Sequence, residues 1–190
     1  MKRLTPLFII TAVVATLALT LRADAPQKLP FPILQDGINP PYTASGYMGD
    51  TPNLVVDEKC PTKPRSGATC LKITYKDPAK WVSVAWQNPT NDWGDKPGGY
   101  NLTGAKKLTV WARGEKGGEK IKVGFGGIGK EKKFPDSAKG ELDLTLTTDW
   151  KQYVVDATDM DLTHIKTGFF WLITGQGAPI TVYLDDIRWE

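Results

Sequence analysis

The 190-residue chain has few of the residue types that nucleophilic and zinc-dependent enzymes use. It contains one histidine, His164, and two cysteines, Cys60 and Cys70. A Ser-His-Asp or Cys-His triad would have to use His164, and no Gly-x-Ser-x-Gly sequence accompanies any serine. A zinc site needs several nitrogen or sulfur ligands, which this set does not supply. The composition therefore argues against both kinds of active site.

A long basic segment is also missing. The formal net charge is only +3, and the densest basic cluster, Lys130 to Lys133, is interrupted by Glu131. Nucleic-acid-binding domains usually carry a continuous basic patch. We therefore expect no nucleic-acid partner.

The sequence lacks a convincing amphipathic helix after residue 31. Apolar residues there recur with a period of two, and Gly, Pro, Asn and Asp separate the runs, as in strands joined by turns. Ten strands without crossover helices predict an all-β, two-sheet antiparallel β-sandwich with jelly-roll connections. The predicted strands are 31–35, 53–57, 69–76, 81–87, 106–113, 119–126, 140–147, 150–155, 167–174 and 179–189.

Residues 1–25 have the pattern of a secretory signal peptide. Lys2 and Arg3 precede an apolar run from Leu7 to Leu21, and small residues end the segment at Ala25. The run is shorter than the roughly 20 apolar residues that a membrane span needs. We therefore expect a secreted protein, extracellular or periplasmic, with no membrane contact after cleavage. Residues 26–190 have the length of one domain, which we expect to be monomeric.

Cys60 and Cys70 are separated by a loop that contains proline and glycine. In an exported chain, a close cysteine pair more often forms a disulfide than a metal or catalytic site. The sequence therefore predicts a structural disulfide between Cys60 and Cys70.

Aromatic side chains on predicted outward faces indicate a binding surface. In strand 81–87, alternation separates Val82, Val84 and Trp86 from Trp81, Ser83, Ala85 and Gln87. In strand 106–113, it places Trp111 and Arg113 opposite the apolar side chains. An indole among polar groups suits a pyranose, because the ring covers the C–H face while neighbours bind the hydroxyls.

We therefore predict one aromatic-lined cleft shared by these two strands and the loop 87–100. Trp86 and Trp171 are further candidates, although packing in the core would explain them equally well. The stacking candidates are Trp81, Trp93, Tyr100 and Trp111, and the hydrogen-bonding candidates are Gln87, Asn91, Asp92 and Arg113.

Four segments carry a family resemblance: Ser66 to Tyr75, Trp81, Leu102 to Arg113, and Val182 to Ile187. Together they resemble the galactose-binding-like β-jelly rolls found as carbohydrate-binding modules beside bacterial plant-polysaccharide hydrolases. The resemblance implies a non-catalytic protein that binds a β-linked polysaccharide, a β-glucan or a hemicellulose. Many such modules hold a structural calcium between the first and last strands. By that resemblance, Asp36, Asp185 and Asp186 are the expected ligands, since calcium prefers carboxylate and carbonyl oxygens.

Two other functions stay open on the sequence. A glycoside hydrolase needs only two carboxylates, and the candidates for such a pair are Asp92, Asp95, Glu119, Asp136 and Glu141. An extracellular protein-interaction or structural domain would have a flat, apolar aromatic face. The polar residues near the tryptophans favour a sugar ligand instead.

Overall fold

The computed structural model describes residues 25–36 and 40–190, and the predicted signal peptide lies almost entirely outside them. Within that part of the chain there are eleven strands and one 3-10 helix, Thr51–Asn53. No helix in the described ranges has the length and apolar character needed to cross a membrane. The strands are β1 (Phe31–Leu34), β2 (Thr43–Gly49), β3 (Leu54–Cys60), β4 (Cys70–Tyr75), β5 (Trp81–Gln87), β6 (Lys107–Gly114), β7 (Lys120–Phe125), β8 (Gly140–Thr145), β9 (Lys151–Asp156), β10 (Thr167–Thr174) and β11 (Ile180–Trp189).

The strands form two antiparallel sheets. One has five strands in the order β2-β5-β10-β7-β8, and the other has six, β3-β4-β11-β6-β9, with β1 also paired to β11. The chain crosses repeatedly between the sheets, for example from β5 to β6 and from β9 to β10. The predicted all-β antiparallel sandwich is therefore confirmed, and each of the ten predicted strands overlaps an observed one.

The strand that the sequence did not reveal is β2. Its sequence, TASGYMG, contains two glycines and small residues, so large apolar side chains do not alternate along it. It nevertheless pairs with β5, with a register irregularity between Ala44 and Gly46. This segment is therefore a strand because it pairs with β5, and the local sequence does not encode that pairing.

The core lies between the two sheets. Leu108 and Val110 of β6 face it from the six-stranded sheet, and Val82 and Val84 of β5 face it from the other. The alternation of these strands is therefore as predicted, since one set of side chains belongs to the core and the other faces away from it, although most of that second set is also shielded from solvent. Each sheet consequently has a free outer face, and these two faces lie on opposite sides of the molecule.

Candidate functional site

A cleft of about 1030 Å³ covers the outer face of the five-stranded sheet. It is lined by the outward side chains of all five strands, together with one side chain from the loop after β5. Alternation along β5 and β10 directs these side chains away from the core. The lining includes Met48, Trp81, Ser83, Ala85, Trp93, Lys122, Lys139, Glu141, Asp143, Phe170 and Leu172.

Trp81 stands at one end of the cleft. Its side chain is 46% exposed, which is unusual for so large an apolar group. The end of β2 passes directly beside it, and Gly49 there has a φ of +76°. A Cβ atom at Gly49 would press on the Trp81 carbonyl oxygen and lie 2.9 Å from the indole Cε3. Gly49 therefore allows β2 to approach while the indole keeps its position.

Trp93 stands at the other end, in the loop that follows β5. The carboxylate of Asp92 holds this loop by accepting hydrogen bonds from the backbone N–H groups of Gly94 (3.2 Å) and Lys96 (3.1 Å). It also accepts a short hydrogen bond from the ammonium group of Lys166, which is completely buried. Burial opposes ionisation of Asp92, but these hydrogen bonds, the one from Lys166 foremost, hold its pKa below the usual range. An internal ion pair thus positions Trp93.

The floor between the two tryptophans is mostly apolar. Phe170 and Leu172 of β10 lie at its centre beside Ala85 of β5, and Met48 of β2 borders it. The hydroxyl of Ser83 donates to the carbonyl oxygen of Trp171 at 2.6 Å, so it is already engaged. The floor can therefore accept flat apolar surface.

The wall formed by β7 and β8 is charged. The ammonium of Lys122 lies 2.7 Å from a Glu141 oxygen and 3.9 Å from Asp143, and Lys139 lies 3.0 Å from the other Glu141 oxygen. The hydrogen bond that Lys122 donates to Glu141 raises the pKa of Lys122, and the hydrogen bonds that Glu141 accepts from Lys122 and Lys139 lower the pKa of Glu141. The wall thus presents charged donors and acceptors side by side. Lys122 and Lys139 are paired with acids, whereas Lys120, which also lines the cleft, has no ion pair in the described part of the chain.

Two of the predicted ligand residues, Trp81 and Trp93, line this cleft. Three others, Gln87, Asn91 and Asp92, hold or border the loop. Gln87 is buried and donates to the Asp92 carbonyl oxygen at 3.1 Å. Asn91 is exposed and has a left-handed φ of 50°. Asp92 acts through the ion pair described above. These three residues contribute to the shape of the site, and none of them lines it.

The structure separates the other aromatic candidates from the cleft. Trp86 and Trp171 point into the core, where Trp86 packs on Phe169 with ring centroids 5.2 Å apart. Tyr100 packs against Phe31 and Tyr42 and donates its hydroxyl to the Pro41 carbonyl oxygen. For Trp86 and Trp171, packing was the alternative that the sequence left open.

Trp111 and Arg113 require a correction. Both belong to β6, which lies in the six-stranded sheet, whereas Trp81 belongs to β5 in the five-stranded sheet. The prediction that Trp81 and Trp111 share one face is therefore wrong. Alternation identified the outward side of each strand, but the two outward sides face opposite directions. Trp111 instead lies under the Arg65 guanidinium, 4.2 Å from the ring centroid.

Several cleft residues were missed by sequence reasoning. Phe170 and Leu172 belong to the run FFWLIT in β10, which is apolar on both faces and shows no alternation. A strand that is apolar on both faces, next to an outward Trp81, is a usable signal of an apolar outer surface. Lys122, Glu141 and Asp143 have no comparable signal, since exposed charged residues are common on strands.

Of the carboxylates named as candidates for hydrolysis, Glu141 lines the cleft, beside Asp143 of the same strand. A glycosidase acid needs a raised pKa, but Lys122 and Lys139 lower the pKa of Glu141. Asp92 is paired with Lys166, and Asp136 accepts three backbone hydrogen bonds, from Ile128, Lys166 and Thr167. Asp92, Asp95, Glu119 and Asp136 all lie outside the cleft lining. Glu141 and its lysine partners thus provide hydrogen-bonding groups in the cleft.

The expected calcium ligands bind protein donors in the loop between β3 and β4. Asp36 accepts from Ala68 and Thr69, and Asp185 accepts from the backbone N–H of Arg65 at 2.9 Å. Asp186 accepts from the Arg65 guanidinium at 2.7 Å and from the Ser66 hydroxyl at 2.8 Å. Among the described residues, no three acidic, histidine or cysteine side chains are placed to hold a metal ion. The residues present therefore do not fit a shared calcium ion.

The predicted disulfide is also corrected. Cys60 and Cys70 face each other in the register of β3 and β4, but both are free, buried thiols. The Cys70 thiol points to the carbonyl oxygens of Cys60 (3.6 Å) and Thr62 (3.9 Å). Burial raises the pKa of Cys70 to about 12, which keeps the thiol protonated. The side chains of Cys60 and Cys70 pack with Tyr183 and Trp150 in a small apolar cluster.

No protein-family model matches the chain, and no curated protein matches its sequence. Solved structures do match its fold. The family 30 carbohydrate-binding module of a cellulosomal cellulase of Clostridium thermocellum is 17% identical, with a TM-score of 0.57 over 86% of this chain and 98% of that one. Another family 30 module structure is 17% identical, with a TM-score of 0.59 over 86% of this chain and 99% of that chain.

The family 11 carbohydrate-binding module of a second cellulosomal cellulase of Clostridium thermocellum is 10% identical. Its TM-score is 0.54 over 87% of this chain and 95% of that chain. Identities this low relate folds only, because one fold serves many ligands. The chain therefore has the β-sandwich fold that carbohydrate-binding modules of families 30 and 11 share.

Proposed function

We propose that this protein is a secreted, non-catalytic binder of a β-linked polysaccharide, which lies in the cleft of the five-stranded sheet. The observation that carries the proposal is the exposed indole of Trp81 at one end of an apolar floor, with Trp93 at the other. An indole held in solvent beside hydrogen-bonding groups suits the apolar C–H face and polar edge of a pyranose.

The length of the cleft favours a chain over a single sugar. Strand β5 has seven residues, and at a rise of about 3.3 Å per residue it extends for roughly 20 Å. Trp81 begins this strand and Trp93 follows its end. Sugar rings stacked on the two indoles would therefore belong to one chain, with further rings over Phe170 and Leu172 between them.

The charged wall favours a neutral polysaccharide. The ammonium of Lys122 lies between Glu141 and Asp143, so its charge is compensated within the wall. Neutral hydroxyls can both donate to the carboxylates and accept from the ammonium groups. An extended β-glucan or hemicellulose offers such hydroxyls along both edges. The structural neighbours, which are named as carbohydrate-binding modules of cellulases, are in keeping with this ligand class.

Native affinity electrophoresis of the purified protein tests the proposal, with β-glucan, xyloglucan, xylan or mannan in separate gels. We expect retardation in at least one gel. Trp81→Ala should weaken that binding at least about tenfold, equivalent to roughly 1.4 kcal/mol. Trp111→Ala is the matched control, because it removes an indole from the opposite face of the sandwich. Both variants should keep nearly the stability of the parent protein.

Equal loss of binding in the two variants would contradict the assignment of the cleft. Release of reducing ends from any retained polysaccharide would instead favour the glycoside hydrolase that the carboxylates left open. Free migration through every gel would favour a protein-interaction role.

A further inference from the structure

A second cavity, of about 360 Å³, lies on the six-stranded side of the sandwich. It shares no lining residue with the cleft. Its walls come from the loop after β3, the end of β6 and the turn before β9. The lining residues that matter for its chemistry are Thr62, Lys63, Arg113, Glu115, Asp149 and Trp150.

Arg113 is the unusual member of this group. It is only 7% exposed, and its guanidinium lies 3.7 Å from the ring centroid of Tyr183 and 5.4 Å from that of Trp150. Its Nη2 donates to the Thr62 carbonyl oxygen at 3.3 Å, while its buried Nε has no hydrogen-bond partner. The guanidinium is therefore held in place mainly by aromatic rings.

The charge of Arg113 has no anionic partner in the described part of the chain. By contrast, Arg65 pairs with Asp186 at 2.7 Å and Arg188 pairs with Glu190 at 2.5 Å. A guanidinium stays protonated at every physiological pH, so it cannot lose its charge on burial. Buried charges are nearly always paired, because an isolated one is costly. The nearby Cys70 thiol does not neutralise it, since burial raises the pKa of Cys70 to about 12.

The neighbouring acid is already engaged. Glu115 accepts a hydrogen bond from the Tyr183 hydroxyl at 2.6 Å and makes no ion pair with Arg113. Asp149 is exposed at the rim. These two carboxylates can accept hydrogen bonds from hydroxyl groups while Arg113 receives an anion. The volume exceeds that of a bare carboxylate and falls in the range of small-molecule sites.

We propose that this cavity binds a uronic acid residue, with its carboxylate on Arg113, its ring beside Trp150 and its hydroxyls on Glu115 and Asp149. Arginine is well suited to carboxylates, and charge-assisted hydrogen bonds are the stronger ones. The site would be a second carbohydrate site, separate from the cleft and independent of the polysaccharide proposed there.

Titration of the full protein with glucuronate, glucose and acetate, followed by amide and indole NMR shifts, tests the proposal. We expect glucuronate to shift the signals of residues 62–64, 113–115 and Trp150 and to leave those of Trp81 and Trp93 unchanged. Glucose and acetate should bind at least tenfold more weakly, because each lacks half of the recognised groups.

Arg113→Gln should weaken glucuronate binding at least tenfold, while Arg188→Gln, which removes an arginine of the same sheet that does not line the cavity, should not. If Arg113→Gln does not fold, the three-ligand comparison on the parent protein decides alone. No shift with glucuronate, equal affinity for glucose or acetate, or full glucuronate affinity in Arg113→Gln would each overturn the proposal.

Discussion

The buried ammonium group of Lys166 donates to the carboxylate of Asp92, a residue 74 positions earlier in the chain. The same ammonium also donates to the Lys96 carbonyl oxygen at 2.6 Å, within the loop that carries Trp93. One internal cation, next to the start of β10, therefore holds the loop that carries Trp93.

Removal of this cation should destabilise the protein strongly. Lys166→Met leaves the Asp92 carboxylate buried without its partner, which typically costs about 3–5 kcal/mol. Urea unfolding measures the change. Lys132→Met is the control, because Lys132 pairs with Asp95 at the surface (3.3 Å), where such pairs contribute about 0–1 kcal/mol. The double variant Asp92→Asn, Lys166→Met should be more stable than Lys166→Met; a lower stability would contradict the pairing.

The same pair predicts a pH dependence. The folded-state pKa of Asp92 lies below its ordinary value of 3.8, so its carboxylate contributes stability above that pH. This contribution is lost as the pH falls from 3.8 through the lower folded pKa, because the folded state must then be protonated. The stability difference between the parent protein and Asp92→Asn should therefore shrink on acidification below pH 3.8. A difference that grows in that range would refute the assignment.

Gly49 should matter for ligand binding as well as for stability. Gly49→Ala combines a positive φ of +76° with a collision against Trp81, whereas Gly118→Ala has a similar φ of +90° and open space around the new Cβ. Backbone strain alone costs about 1–3 kcal/mol at either position. We expect Gly49→Ala to lower the Tm further than Gly118→Ala does and, unlike Gly118→Ala, to weaken polysaccharide retardation. Identical retardation in both variants would show that the position of Trp81 is unimportant.

The loop that holds Asp185 and Asp186 predicts how the protein responds to chelation. Because Arg65 and Ser66 already supply hydrogen-bond donors to these carboxylates, exhaustive chelation should leave the Tm unchanged. Arg65→Gln should lower the Tm, since it removes the cation beside buried Asp186. Differential scanning calorimetry with and without chelator measures both effects. A fall in Tm of the parent protein on chelation would restore calcium as a structural ion.

Much of the fold was predictable from local sequence alone. Alternation along β5 predicted that Val82 and Val84 face the core while Trp81 points outward, because successive side chains of a strand must take opposite sides. Glycines between the apolar runs predicted turns, and Gly117 and Gly118, which lie between β6 and β7, both have a positive φ. These features depend on covalent geometry and on neighbours within a few residues, so the sequence by itself determined them.

The composition of the cleft was decided only by the tertiary structure. Alternation assigned an outward side to Trp81 and to Trp111 equally, but strand pairing placed β5 and β6 in different sheets, so the two indoles face opposite directions. Likewise, only long-range folding brought Arg65 to Asp186 and left Arg113 between two rings without an anion. Which sheet a strand joins depends on hydrogen bonds to distant strands, and no local pattern encodes that choice.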